Sequence, residues 1–403
     1  MNILRMKNSV QTYAWGSMDF IQNLTGDKSL MGKPVAELWM GAHPSLPSLI
    51  KNGREYIPLD KLIAGDPSLF LGEQTAREFQ GKLPFLIKVL AARQPLSIQA
   101  HPNKAQAVAG FRRETELGIP LDAPNRSYKD ANHKPELVVP LTRFTALAGF
   151  IYWKCTAMLF EKYFPTGVLK QLPSFLQKPD RKTFQPLFEE LLDLDNKQLK
   201  EILAYFYKLR HKISILSNPL EFGAFLSIMT LISSSPDDTG CLAPMYLNSY
   251  DLSPCSSLYI PAGTLHAYLG GAAIEIMATS DNVLRGGLTH KYIDKKELFH
   301  ILDWNAYRSP TQKHLHLSPT ETLIQCPARE FRLSVIKHKR MNATSLDNHS
   351  SAEIIFCYEG KFHVQNCSQI LDFTPGQSLF VPAGVNGYSL TGTGVVYRAG
   401  VNL

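Results

Sequence analysis

Gln99 and His101 stand two residues apart in the apolar stretch Gln94-Pro-Leu-Ser-Ile-Gln-Ala-His-Pro102, which reads as a strand. Side chains on a strand alternate between faces, so Ser97, Gln99 and His101 share one surface. Polar groups in such apolar surroundings need partners, which makes this surface either a ligand site or a satisfied buried network. Two other segments carry compatible donors, His133-Lys-Pro-Glu136 and His266. An amide oxygen, a carboxylate and two imidazoles make a mixed nitrogen and oxygen set suited to Zn²⁺ or a similar divalent ion. No thiolate takes part, unlike the cysteine-rich pattern of a structural zinc site.

The elements that must position these donors are short and mostly extended. Pro84-Phe-Leu-Ile-Lys-Val-Leu-Ala-Ala92 precedes the Gln99 stretch across a Pro-marked turn, a hairpin-like pattern. Residues 1–150 consist of apolar segments broken by Gly and Pro and read as β-structure with a few helices. Between 151 and 244 the period changes to that of helices. Asp195 or Asn196 caps one whose apolar positions are Leu199, Ile202, Leu203, Phe206 and Leu209, and a second covers Phe222 to Ser233. Strand patterns return after Pro254 and contain a repeat: Ser257-Leu-Tyr-Ile-Pro-Ala-Gly263 is echoed by Ser378-Leu-Phe-Val-Pro-Ala-Gly384. These units resemble the second motif of the cupin superfamily, a jelly-roll barrel whose mouth often holds a metal. The first copy keeps the motif's histidine as His266, whereas the second has Gly387 there, so only the first barrel is expected to carry metal. The expected fold is mainly β with a helical domain: two cupin-like jelly-roll barrels plus an α-helical insertion. The divisions are 1–150 together with 245–305 (catalytic barrel), 151–244 (helical domain) and 306–403 (degenerate barrel).

Composition narrows the function. The chain has 403 residues, is 44% hydrophobic and 19% charged, and carries a net charge of +7. That is a globular protein able to bury large cores, with too little clustered basicity for a nucleic-acid partner. The cluster Lys337 to Arg340 reads as a solvated loop or strand end. No apolar run is long enough for a membrane span, and the first residues lack a signal-peptide pattern. Six cysteines without a CxxC pair fit reduced thiols in a cytoplasm.

Six segments, in order along the chain, resemble the type I mannose-6-phosphate isomerase family. They are Gln11-Thr-Tyr-Ala-Trp-Gly16, Glu37-Leu-Trp-Met-Gly41, Pro84 to Leu90, Gln94 to Lys104, His133 to Glu136, and Glu275 to Asp294. The resemblance implies reversible conversion of mannose 6-phosphate to fructose 6-phosphate; the enzyme is expected to be a cytoplasmic monomer. It also implies one Zn²⁺ per chain, held by Gln99, His101, Glu136 and His266. The family's active-site arginine falls on Arg285, and Lys134, Asp281, Ser97, Lys88, Tyr268 and Lys291 match pocket positions. Such an isomerisation passes a proton between C1 and C2 through a cis-enediol, so the site must stabilise charge on O1 or O2 while a base serves both carbons. Arg285 suits that charge. Lys134 and Asp281 are expected to form the acid/base group, with His133 a third candidate, and Ser97, Lys88 and Lys291 to hold the phosphate, Arg285 serving there too in a double role. Trp15 and Glu37 are expected at the pocket edge. His290 stands where the family pattern has proline, which bears on loop geometry.

Other features have plainer readings. Gly270-Gly271 and Gly286-Gly287 are expected to be turns close to the pocket rather than nucleotide cradles. His314-Leu-His316 reads as an exposed strand without a converging carboxylate, and Tyr205 to Tyr207 as helix packing with the helical domain a wall or lid. Two rival functions remain at this stage: a non-catalytic sugar- or metal-binding cupin, and an iron cupin dioxygenase. The first leaves Arg285, Lys134 and Asp281 without a purpose. In the second, Gln99 is an awkward member of a redox shell.

Overall fold

Every residue of the strand Phe85–Ala92 is buried, which is why its sequence is apolar almost without interruption. Its alternate residues serve two layers. Phe85, Ile87, Val89 and Ala91 pack into a core shared with Phe331, Leu333, Ile354 and Phe380. Leu90 and Ala92 face the other way, packing with Val138, Ala146 and Tyr268. Lys88 is the one charged residue on that second face, and it marks the side on which the polar site is built.

The computed structural model describes residues 1–211, 218–306, 312–347 and 350–403. Among these the chain is mainly β, with strands in two ten-stranded sheets of antiparallel pairs. One sheet runs Leu247–Leu252, Phe144–Phe150, His266–Ala278, Phe85–Ala92, Glu37–Gly41 and Ser9–Gln11. Ile98–Ala100, Glu136–Pro140, Leu258–Ile260 and Leu284–Gly287 pair alongside it. The other is built mainly from the C-terminal strands, among them Arg332–Leu346, Glu353–Gln365, Ser378–Val381 and Tyr388–Gly400. It also takes Leu4–Lys7, Leu49–Asn52 and Glu55–Pro58 from the start of the chain, so the sheets cut across chain order. Both copies of the Pro-Ala-Gly repeat follow strands, Leu258–Ile260 and Ser378–Val381, one in each sheet.

Two expectations about this region are corrected. Phe85–Ala92 and Ile98–Ala100 do not form a hairpin; they lie end to end along one long strand, His266–Ala278. Ala278 to Gly271 pair with Phe85 to Ala92, and His266 pairs with Gln99. The Pro-containing segment between them interrupts the ladder without reversing the chain. The Gly pairs are not turns either, because both sit inside strands at register irregularities. Gly271 has φ +106°, and a Cβ there would lie 2.3 Å from the Arg143 carbonyl oxygen, so the strand passes its neighbour only because that side chain is absent.

The helical block, Trp153–Tyr163 through Pro219–Ser234 and the 3₁₀ turn Thr239–Met245, enters between Phe144–Phe150 and Leu247–Leu252. Those two strands pair with each other, so the block leaves and rejoins the sheet at one place. Asn196–Leu209 is capped by Asp195 in a capping box with Gln198, and Leu199, Ile202, Leu203 and Phe206 are its buried face. The second expected helix spans Pro219–Ser234. Ile98, Ala100 and Leu284 turn into the aromatic core of this block. Gln99 and Arg285, at the alternating positions, therefore face away from it. His314–His316 is an exposed strand. No helix among the described residues is long and apolar enough to cross a membrane.

Candidate metal and active site

His101, Glu136 and His266 come from three segments separated by up to 165 positions, yet their ligand atoms lie within 4.8 Å of one another. Strand pairing brings the two histidines together, because His101 follows Ile98–Ala100, which pairs with the near end of the long strand that His266 opens. Glu136 opens Glu136–Pro140, which pairs with the far half of that strand, and its carboxylate reaches both imidazoles at 3.3 Å. Gln99 lies between His266 on one neighbouring strand and Arg285 on the other, directly opposite both.

The two imidazoles are set up to present lone pairs. His101 Nδ1 is 2.7 Å from the Asn282 carbonyl oxygen and His266 Nδ1 is 2.9 Å from that of Thr264. A carbonyl only accepts, so both Nδ1 atoms carry hydrogen, and in each neutral ring Nε2 is then the nitrogen that bears the lone pair. Each Nε2 is 3.3 Å from one oxygen of Glu136, is buried, and has no hydrogen-bond partner. Burial and the nearby Lys134 ammonium push His101 down to about 4, which keeps its ring neutral. Burial alone would raise the Glu136 carboxyl, but the Lys134 ammonium beside it holds it well below the ordinary carboxylate range. Three buried electron-rich groups facing one another, none able to donate, fit a cation and little else.

Around this centre the expected pocket residues fall into place unequally. Lys134, 8% exposed, puts its Nζ 3.2 Å from Glu136 Oε1, and the buried Tyr268 hydroxyl donates to Glu136 Oε2 at 3.1 Å. Lys88 is buried rather than exposed at a rim. Its Nζ is 3.4 Å from Glu37 and 3.1 Å from Glu275, and it lies 4.9 Å from the centre of the Trp39 ring, whose indole donates to Glu37 at 2.8 Å. Burial would discharge this amine, but the two carboxylates more than offset it and keep it protonated. Arg285 is half-buried, and burial lowers its pKa. Lys291 is exposed, and its pKa falls through partial burial and the charges of Arg285 and Lys129. Asp281 is exposed on one side and backed by the buried His43, whose Nε2 is 3.5 Å away. Ser97 is half-buried at the entry to Ile98–Ala100, and Trp15 stacks on Tyr13 at 5.6 Å. His133 turns to Glu330 at 2.5 Å instead of toward Glu136.

Three residues beyond the sequence reading help build the site. Glu275 holds Lys88, although strict alternation from His266 and Tyr268 would point it away. The bulge between Tyr268 and Gly270 reverses the parity of the strand and brings the odd positions to the site face. Asn282 anchors His101 through its carbonyl while its side chain ties down Lys129, Asp130 and Asn132, so one residue fixes both the histidine and the loop leading to Lys134. Its position beside Asp281 in the matched segment was the available signal. His43, in Trp39-Met-Gly-Ala-His43, accepts the Ser45 backbone N–H at Nδ1, which leaves Nε2–H to face Asp281. Nothing in its spacing distinguishes it from a core histidine.

Comparison with known proteins bears on this arrangement. Residues 3–152 match the family described as phosphomannose isomerase type I, catalytic domain, and residues 329–400 match the mannose-6-phosphate isomerase cupin domain. The chain is 39% identical over 401 residues to mannose-6-phosphate isomerase of Escherichia coli strain K12, covering 98% of each protein. It is 33% identical over 332 residues to that of Schizosaccharomyces pombe, covering 76% of this chain and 75% of the other. A zinc-bound crystal structure of mannose 6-phosphate isomerase superposes with a TM-score of 0.90 at 37% identity over the whole of both chains. A variant of phosphomannose isomerase from Salmonella typhimurium does so at 0.91 and 37%.

Proposed function

Because the chain belongs to the type I mannose-6-phosphate isomerase family, we propose that it interconverts mannose 6-phosphate and fructose 6-phosphate through a cis-enediol, with Arg285, Lys134 and Asp281 as its reacting groups. The observation that carries this reading is the pair of bare, buried imidazole Nε2 atoms converging on the Glu136 carboxylate. His101, Glu136 and His266 hold zinc, with Gln99 the fourth ligand from its register between His266 and Arg285. When bound, the ion supplies fixed positive charge against the oxyanion that develops on the sugar.

The chain's own groups do the rest. The Arg285 guanidinium, which has no carboxylate in an ion pair with it among the described residues, stabilises the charge on O1 or O2 as the enediol forms. Asp281 and Lys134 form the acid/base group: the Asp281 carboxylate takes the proton from one carbon and returns it to the other, while the Lys134 ammonium lends a proton to the sugar oxygen and takes it back. Lys134 is buried beside Glu136, and the contact of His43 with Asp281 fixes the carboxylate's orientation. Lys291, Ser97 and Arg285 receive the phosphate. Lys88, already spent between Glu37 and Glu275, orders the pocket floor beneath it. Trp15, Glu37 and Tyr268 shape the wall.

The unit boundaries 1–150 with 245–305, 151–244 and 306–403 describe a catalytic jelly-roll unit, a helical wall and a second jelly-roll unit, with the first strands crossing to the second. One chain supplies every residue named, so the reading needs no partner subunit. Free thiols at all six cysteines are consistent with a cytoplasmic setting. A coupled assay on purified protein tests the activity. Removal of metal by chelation is expected to lower turnover by at least ~10²-fold, with recovery on adding Zn²⁺; a metal-free protein that turns over at the full rate contradicts the reading.

A further inference from the structure

We propose that Asp238, a carboxylate of the helical block, is the positioning residue that aims Arg285; this rests on the role given to Arg285 above. Arg285 sits on the four-residue strand Leu284–Gly287, which pairs only with Ile98–Ala100 among the described strands and has an irregular register between Arg285 and Gly287. A strand so short and bulged cannot hold a long side chain to a fraction of an ångström by its own ladder.

Asp238 supplies the missing restraint. Its Oδ1 accepts the Leu288 backbone N–H at 2.8 Å and the Gly240 N–H at 2.7 Å, and its Oδ2 accepts the Thr289 N–H at 2.9 Å. The two backbones meet without side chains between them. A Cβ on Gly240 would lie 2.7 Å from Leu288 N, and one on Gly287, at φ +140°, would lie 2.9 Å from the Gly240 Cα. Leu288 is held at φ +53°, a left-handed conformation that a leucine adopts only when its surroundings impose it.

The clamp is mounted rigidly. Asp238 caps the 3₁₀ turn Thr239–Met245, whose Cys241, Leu242, Ala243 and Met245 are buried in the helical core. The segment it grips runs directly into Thr289, whose hydroxyl accepts the Lys291 N–H at 3.1 Å, so the same carboxylate sets the path toward the phosphate lysine. The helical block is thereby part of the catalytic apparatus through one residue, in addition to walling the cleft. Displacement of a reacting group by about 1 Å costs on the order of 10²-fold in rate, which sets the scale expected here.

Zinc-loaded enzyme and variants provide the test. Asp238→Ala is expected to lower kcat by about 10- to 100-fold, with KM for mannose 6-phosphate changed by less than about 3-fold and zinc content unchanged, since the metal donors lie on other elements. Asp238→Asn keeps an oxygen for Leu288 and Gly240 but turns an amide N–H toward that of Thr289, so its loss is smaller. In an Arg285→Lys background, where the guanidinium fork is already absent, Asp238→Ala is expected to cost no more than about 2-fold. Equal losses in both backgrounds indicate a general structural role and overturn the proposal, as does an Asp238→Ala enzyme with wild-type kcat. If the alanine variant fails to fold, the same cycle on Asp238→Asn decides the matter. Full activity in Arg285→Ala would instead remove the role of Arg285, a result distinguishable from either of these.

Discussion

Arg285→Ala is expected to lower kcat by about 10²- to 10³-fold, the range seen when one preorganised donor to a developing oxyanion is removed, while zinc content stays at the wild-type level. The two halves of the result come from separate parts of the structure. Arg285 lies on Leu284–Gly287 and turns away from the helical core, whereas the imidazoles and the carboxylate belong to three other segments. Burial lowers the pKa of the guanidinium, and because an arginine side chain keeps its proton in proteins it serves as a permanent cation in the site. A lysine there restores charge but not the planar fork and is expected to recover only part of the rate. Steady-state kinetics with metal analysis on the same preparations checks both halves; full turnover in the alanine variant removes Arg285 from the mechanism.

His266→Ala is expected to lose the metal and, with it, measurable turnover. His266 contributes a fully buried Nε2 whose orientation is set by the Thr264 carbonyl. Losing one of the proposed ligands is expected to remove a large part of the affinity, since even perturbing a supporting hydrogen bond of a ligand typically costs about 10- to 100-fold. Dialysed His266→Ala is expected to contain far less than one zinc per chain. Retention of one tightly held ion per chain means that the ion is bound elsewhere.

The site was legible in the sequence where its residues are coupled by short spacing. Gln99 and His101 are expected on one face because a single residue separates them, and Ile98 and Ala100, which turn into the helical core, mark the opposite face. Asn196–Leu209 was equally legible, since its period and its cap are local. What escaped detection depends on irregularity or on distance. The bulge after Tyr268 reverses the alternation that would have exposed Glu275 as a partner of Lys88, and an inserted residue leaves no mark in the pattern itself. Asp238 lies 47 positions before Arg285, and no local spacing links the two. The hairpin expected at residues 84–102 failed because a proline between two strands signals a break but not a reversal. Leu4–Lys7 joins the C-terminal sheet through pairing with Ser378–Val381, a contact across almost the whole chain that no local pattern announces.

The ion's location is open to direct observation. A crystal of the metal-loaded protein, with anomalous differences measured on either side of the zinc absorption edge, is expected to show one strong peak. Its distances to Nε2 of His101, Nε2 of His266 and a Glu136 carboxylate oxygen are expected to be about 2.0 to 2.2 Å, with the Gln99 amide oxygen completing the set. A zinc peak at any other place in the chain, or bare imidazoles around an empty centre in protein that is fully active, would contradict the account.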